Sequence, residues 1–307
     1  SEVNLSYDKN IHIMINGDTI NNKKDKVLYF YQCLKDHKIG TTKNIQVDNP
    51  KLSISNLETF DKSPSRLFCD AFWNSIDYKN LELQLKSKLT FFDIGCGSGE
   101  YGDLIKKFSK DSFGKYLGLD VYKSERFSAK YNHILDKAEN AYKYIDNKIN
   151  FIISQSALEH IEYDLLSLKQ ITDKLIENNK SFIQIHMVPA EKCLWLYLCH
   201  GWRQYSQKNL ATISDEIKKL YSVNTSIVPL GGNRSFWTHL KYITVPLFFN
   251  QSVLSKKKWK WSEQKNLEKK IVNIVKSEIL CNNNSPLFWA FLISSNDIKI
   301  NYKSLNN

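Results

Sequence analysis

The residues of this 307-residue chain that could do chemistry are a glycine-rich loop, three histidines and a few arginines set among aromatics. The loop reads Phe91-Phe92-Asp93-Ile94-Gly95-Cys96-Gly97-Ser98-Gly99-Glu100. An apolar run enters it and a helical pattern leaves it. Glycines in such a loop permit positive φ and let the backbone approach a ligand closely. Roughly twenty residues further on, Asp120 closes the next apolar run, the place where a carboxylate accepts hydrogen bonds from ribose hydroxyls. A nucleoside-bearing cofactor is therefore expected, and the spacing of loop and carboxylate alone also suits NAD. Asp93 either orients the loop or touches the ligand. Cys96 reads as a small loop residue rather than a nucleophile.

Such a loop works only between a strand and a helix. The runs Thr90–Ile94, Tyr116–Leu119, His133–Leu135, Phe151–Ser154 and Phe182–His186 predict short buried strands. Helical patterns over Tyr101–Phe108, Ser124–Lys130, Ala138–Ile145 and Asp164–Ile176 separate them. Alternation of this kind predicts βαβ units and a parallel sheet. Further on, Glu191–Cys199, Gln207–Tyr221 (capped by Ser206) and Glu263–Ile279 predict helices, and Val223–Val228 and Pro286–Ser294 predict strands. Upstream, Ser63-Pro64-Ser65-Arg66 is a helix start, with a Ser cap and Pro at the first helical position. The first 60 or so residues read as a polar extension with one or two short helices around Val27–Leu34.

Asp93-Ile94-Gly95-Cys96-Gly97-Ser98-Gly99 resembles the first motif of the class I S-adenosylmethionine-dependent methyltransferases, an acidic residue followed by G-x-G-x-G. A NAD fingerprint places its third glycine one residue later. The resemblance covers about residues 85 to 228 plus the last strand. It implies an α/β, Rossmann-like fold: a mostly parallel seven-stranded sheet with helices on both faces, a helical extension over 1–84, and a domain over 85–307 with substrate-side insertions at about 187–205 and 229–286. It also implies that Gly95, Cys96, Gly97 and Gly99 wrap the amino-acid end of S-adenosylmethionine. Asp120 and Val121 would hold the ribose side, and Asp136 and Lys137 of His133–Ala138 the adenine. Ser154 and Gln155 would end the fourth strand beside the cofactor. Ile153–His160 is similar to the fourth motif, with the Leu158-Glu159-His160 ending common in small-molecule and glycan enzymes. Some relatives bind a divalent metal through Glu-x-x-Glu-His there. Ser156 replaces the first Glu, and no metal ligands are predicted.

Residues at the carboxyl ends of such strands are the candidates for chemistry on the acceptor. His186, ending the fifth strand, is the first choice for a base or orienting group, followed by His160 with Glu159. His200, Arg203 and Tyr205 form one compact candidate acceptor set. Arg203 could grip a phosphate or carboxylate through two bonds. Arg234, Trp237 and His239, after Gly231-Gly232, form a second set suited to sugars.

The formal net charge is +11, carried mostly by dispersed lysines that serve solubility. Nucleic acid is a possible partner but not the favoured one. Lys256-Lys257-Lys258-Trp259-Lys260-Trp261 could meet RNA or an anionic membrane, or simply open a solvated helix. The six cysteines form no C-x-x-C pair, which argues against structural zinc and suits a reducing cytoplasm. No apolar run approaches the ~20 residues of a spanning helix. The expected activity is O-methylation of a small molecule or surface-glycan precursor. RNA or protein methylation and a non-catalytic cofactor-binding scaffold are the alternatives.

Overall fold

The computed structural model describes residues 15–40, 45–60, 62–178, 181–246, 267–279 and 285–303. Lys256–Trp261 and Cys281 lie outside the described residues. Helix α1 (Lys23–Asp36) and the two-residue strand β1 (Gln46–Val47) come first. Helices α2 (Pro64–Ser75) and α3 (Tyr78–Leu85) follow. The central run is β2 (Leu89–Ile94), α4 (Glu100–Ser109), β3 (Phe113–Asp120), β4 (Asn132–Leu135), β5 (Phe151–Gln155), α5 (Asp164–Glu177) and β6 (Ile183–Pro189). After it come α6 (Leu194–Tyr197), α7 (Gln207–Leu220), β7 (Val223–Leu230), α8 (Asn233–His239), α9 (Leu267–Ile279) and β8 (Phe288–Ser295).

The strands form one eight-stranded sheet in the order β1-β7-β8-β6-β5-β2-β3-β4. All pairs are parallel except those of β8, which runs antiparallel to β6 and β7. The seven predicted strands are thus present. The eighth is β1, which joins the β7 edge through Gln46↔Ser226 and Val47↔Ile227. This is the Rossmann-like fold expected from the resemblance. Strand order reverses between β2 and β5, so their carboxyl ends open a crevice, the place where such sheets bind ligands.

Period-two alternation divides the core between the two faces. Phe91, Ile153, Ile185 and Leu292 face α2, α4 and α9. Phe92, Ile152, Phe291 and Ile293 face α5 and α7. Because both faces are covered, the strands read as continuous apolar runs rather than alternating ones. Local caps fix the helix starts: Ser63 Oγ accepts from Arg66 N with Pro64 at the first position. Ser206 and Asn209 form a reciprocal capping box on α7.

Three expected helices differ. Ser124–Lys130 is a chain of turns in which Ser124 O accepts from Phe127 N. The Phe127 ring is thereby buried beneath Gly99 and Gly118. Ala138–Tyr144 is a 3-10 helix. Glu191–Cys199 breaks into a 3-10 turn and the short α6, with Leu198 at φ 56°.

Candidate active site

The turn after β2 has the backbone that the glycines were expected to allow. Gly95, Gly97 and Gly99 sit at φ 75°, 52° and 72°. A Cβ on Gly95 would lie 2.4 Å from the Ala157 Cβ, so the loop packs directly against the turn after β5. A Cβ on Gly97 would meet nothing within 4 Å, so this peptide borders open space. Asp120 Oδ2 accepts from Gly97 N at 2.8 Å, which sets the carboxylate at the lip of the same space. Val121, next to it, is 62% exposed, an apolar face offered beside the carboxylate.

Asp93 lies beneath the loop, 1% exposed. Its Oδ2 accepts from the Tyr116 hydroxyl, while Oδ1 has no hydrogen-bond partner. Burial raises its pKa to about 7, against the pull of the Tyr116 bond. Cys96 packs its Sγ over Gly118, and burial pushes the thiol well up, which suits a packing residue. Asp136 is engaged within its own turn: Lys137 N and Asn140 Nδ2 donate to Oδ1, and Tyr144 OH to Oδ2. Those bonds, led by that of Tyr144, hold its pKa to about 2. Lys137 is exposed.

Helix α2 covers the crevice. Gln155 Oε1 accepts from Trp73 Nε1 at 3.1 Å. Arg66 donates to the Tyr101 hydroxyl at 2.7 Å, and its guanidinium stands 5.2 Å from that ring's centre. Tyr101 in turn donates to Asp70, which Lys62 also pairs. Arg66 entered the sequence reading only as part of a helix start; the structure sets it against the first turn of α4, just past the glycine loop.

The residues after β5 gather a second group. His160 Nδ1 lies 2.8 Å and His200 Nδ1 3.3 Å from the two carboxylate oxygens of Asp18, and the two rings are 4.6 Å apart, edge to face. Burial opposes ionisation of Asp18, but its bonds to the two imidazoles hold its carboxyl far below the usual range. Burial lowers His160, yet the Asp18 bond and the Glu159 charge prevail and raise it. Glu159 is fully buried, takes the Ser156 hydroxyl on Oε1 at 2.6 Å, and is raised by burial. Tyr197 stacks edge-on to both His200 and His239, each 5.6 Å away, and its hydroxyl reaches Ser65 at 3.4 Å. The first turn of α2 therefore touches both groups, Arg66 toward the glycine loop and Ser65 toward the histidines. The sequence carried no signal for Asp18, one acid in a polar extension.

Several expected site residues are built into the core instead. His186 is 1% exposed on the α5 face, with Nδ1 2.8 Å from Ser154 Oγ and Nε2 3.4 Å from Gln184 Oε1. Gln184 donates on to Thr172 of α5. The ring belongs to a polar string under a helix and points away from the crevice, because strand parity sends residues 184 and 186 to that face. Burial lowers its pKa to about 3. Its carbon-bound proton resonances are accordingly expected to stay flat between about pH 5 and about pH 8, the range in which exposed imidazoles titrate. A titration near neutrality in NMR would put His186 back at a solvated site.

Arg203 and Tyr205 are buried on a common partner, Asp164, and His239 is buried against Thr244. Arg234 and Trp237 are exposed on α8, whose first amides donate to Glu278 of α9. Of the two acceptor sets, the structure therefore keeps only His200 at the histidine group, with His239 behind Tyr197.

The chain matches no family model and no curated protein. Among solved structures, it is similar to the plantazolicin methyltransferase BamL, crystallised with a desmethyl-plantazolicin analog and SAH: 13% identity, 75% of this chain and 85% of that one, TM-score 0.43. It is also similar to a SAM-dependent methyltransferase from Archaeoglobus fulgidus, at 16% identity over 78% of this chain and 97% of that one, TM-score 0.42. A provisionally assigned sarcosine dimethylglycine methyltransferase from Galdieria sulphuraria aligns at 13% identity over 89% of this chain and 99% of that one, TM-score 0.47.

Proposed function

We propose that the protein is an S-adenosylmethionine-dependent methyltransferase that binds its cofactor across the carboxyl ends of β2, β3 and β5. The observation that carries this reading is the Gly97 peptide, open above and bonded below to the Asp120 carboxylate. A nucleoside laid over that peptide places its ribose hydroxyls within reach of Asp120 and its base beside the exposed Val121. The unpartnered Oδ1 of Asp93 is a buried acceptor suited to a donor such as an ammonium group. Arg66 is positioned to pair with a carboxylate at the same end. Helix α4 opens with Glu100 and carries Asp103 in its first turn. Acidic side chains there disfavour the pyrophosphate that a dinucleotide would bring to a helix N-terminus, and they tolerate a zwitterionic amino acid.

When bound, S-adenosylmethionine supplies an electrophilic methyl group on a sulfonium. The protein's share is to hold donor and acceptor in line and to exclude water. The acceptor side is the group around His160, His200 and Tyr197. Two imidazoles beside a phenol suit an oxygen nucleophile on a small molecule or sugar precursor, with His160 and Glu159 in the catalytic group.

The test has two stages. Calorimetry should show one SAH bound per chain, and heat absent at any protein concentration would reject the reading. Incubation with methyl-labelled cofactor and a fractionated lysate should then place label in the small-molecule or glycan fraction. Label in RNA or protein would keep the enzyme class and reject the acceptor.

A further inference from the structure

We infer that Asp18, His160 and His200 together bind a divalent transition-metal cation at the acceptor side of the crevice. Each offers one ligand atom, and the three atoms lie within 4.8 Å of one another. The side chains are 37%, 38% and 34% exposed, so an ion can reach them from solvent.

The three residues come from segments far apart in the chain, and backbone bonds lock those segments together. Gly17 N donates to Gly201 O at 2.7 Å. A Cβ on Gly17 would stand 2.4 Å from His200 N, so only glycine lets the Asp18 turn lie this close to His200. Trp202 N donates to Glu159 O at 2.7 Å, tying the His200 loop to the His160 turn. Tyr29 OH on α1 donates to His200 O at 2.7 Å. The ligands are held on fixed backbone, which removes much of the ordering cost of assembling a coordination shell.

The donor set selects the ion class. Two imidazoles and one carboxylate suit zinc, cobalt, manganese or iron(II) better than calcium or magnesium, which take oxygen shells. Three protein ligands leave coordination positions open for water or an acceptor oxygen. That the open positions face a methyl acceptor rests on the methyltransferase reading; uptake of the ion does not.

The experiment is a cobalt titration of the whole chain after dialysis against a chelator. One Co2+ per chain should bind, develop visible d–d absorption and be displaced by Zn2+. Changing groups outside a metal's shell already costs about 10–100-fold in affinity, so Asp18→Asn, His160→Ala or His200→Ala should each cost at least about 100-fold. Melting temperature and SAH binding are measured on the same samples, and Asp18→Asn is the variant least able to disturb packing. Absence of stoichiometric uptake by the unaltered chain overturns the site. So does uptake that survives Asp18→Asn combined with His160→Ala. Loss of SAH binding with cobalt uptake intact would instead reject the methyltransferase reading alone.

Discussion

Asp120→Ala should lower affinity for SAH by more than about tenfold, since a hydrogen bond to a charged group is worth about 1.5–3 kcal/mol and 1.4 kcal/mol is a factor of ten. Two effects act in the same direction. The ribose hydroxyls lose their acceptor. Gly97 N also loses the bond that fixes the loop peptide, so the cradle itself becomes less ordered. Asp120→Asn separates them: an amide oxygen can still accept from Gly97 N, but the ionic component toward the ribose is gone. Its affinity is expected to fall between those of the other two proteins. Calorimetry with SAH gives the readout, with melting temperature as the control for folding. Unchanged affinity in the alanine variant would remove Asp120 from the cofactor site and leave it as the brace of a turn. Asp136→Ala should do less than Asp120→Ala. Its carboxylate already satisfies three donors of its own turn, and much of the loss would appear as a looser Ala138–Tyr144 segment.

The parts of the fold that were legible in the sequence are those set by local chemistry. The run from Phe91 to Gly99 specifies strand, turn and helix by itself, since apolar residues at both parities demand a strand covered on two faces and the glycines demand positive φ. Ser63-Pro64 and Ser206 announced α2 and α7 because a cap acts on amides three residues away. What escaped reading depends on contacts distant in sequence. His160 meets Asp18 across 142 positions. Nothing near Asp18 distinguishes it from the other acids of a polar extension, and only the fold brings Gly17 against Gly201. His186 was misplaced for a different reason. The apolar pattern predicts a strand ending at His186, whereas β6 runs on to Pro189, and the face the ring points to follows from parity relative to α5, which covers Gln184 through Thr172. Ser124–Lys130 has a helix-like pattern, yet Phe127 is drawn under the glycine loop, and burying that ring outweighs the few hydrogen bonds a seven-residue helix would add.

Arg203→Met should destabilise the protein by about 3–5 kcal/mol, the usual consequence of removing one partner of a buried ion pair. The sequence offered Arg203 as an anion clamp for the acceptor, but the structure uses its fork internally. It is 2% exposed, with one nitrogen 2.9 Å from Asp164 Oδ1 and another 3.1 Å from the Glu162 carbonyl. Tyr205 OH bonds the other oxygen of Asp164 at 2.7 Å. Methionine restores most of the volume but leaves Asp164 as a buried anion with one donor fewer. Arg203→Lys should recover only part of the loss, because an ammonium cannot span both acceptors. The deficit should also depend on pH. Asp36 is buried close by, and its pKa is raised to about 7, burial outweighing the attraction of Arg203. A carboxyl whose folded pKa lies above its ordinary value takes up a proton on folding, so its contribution to stability is present at lower pH and is lost as pH rises through the folded value. Without Arg203 that value climbs further, and at low pH Asp36 is neutral with or without the arginine. The gap between the two proteins should therefore widen from about pH 6 to about pH 8. Denaturant midpoints at the two pH values measure it. Unchanged stability together with a raised KM for an anionic acceptor would return Arg203 to the substrate site.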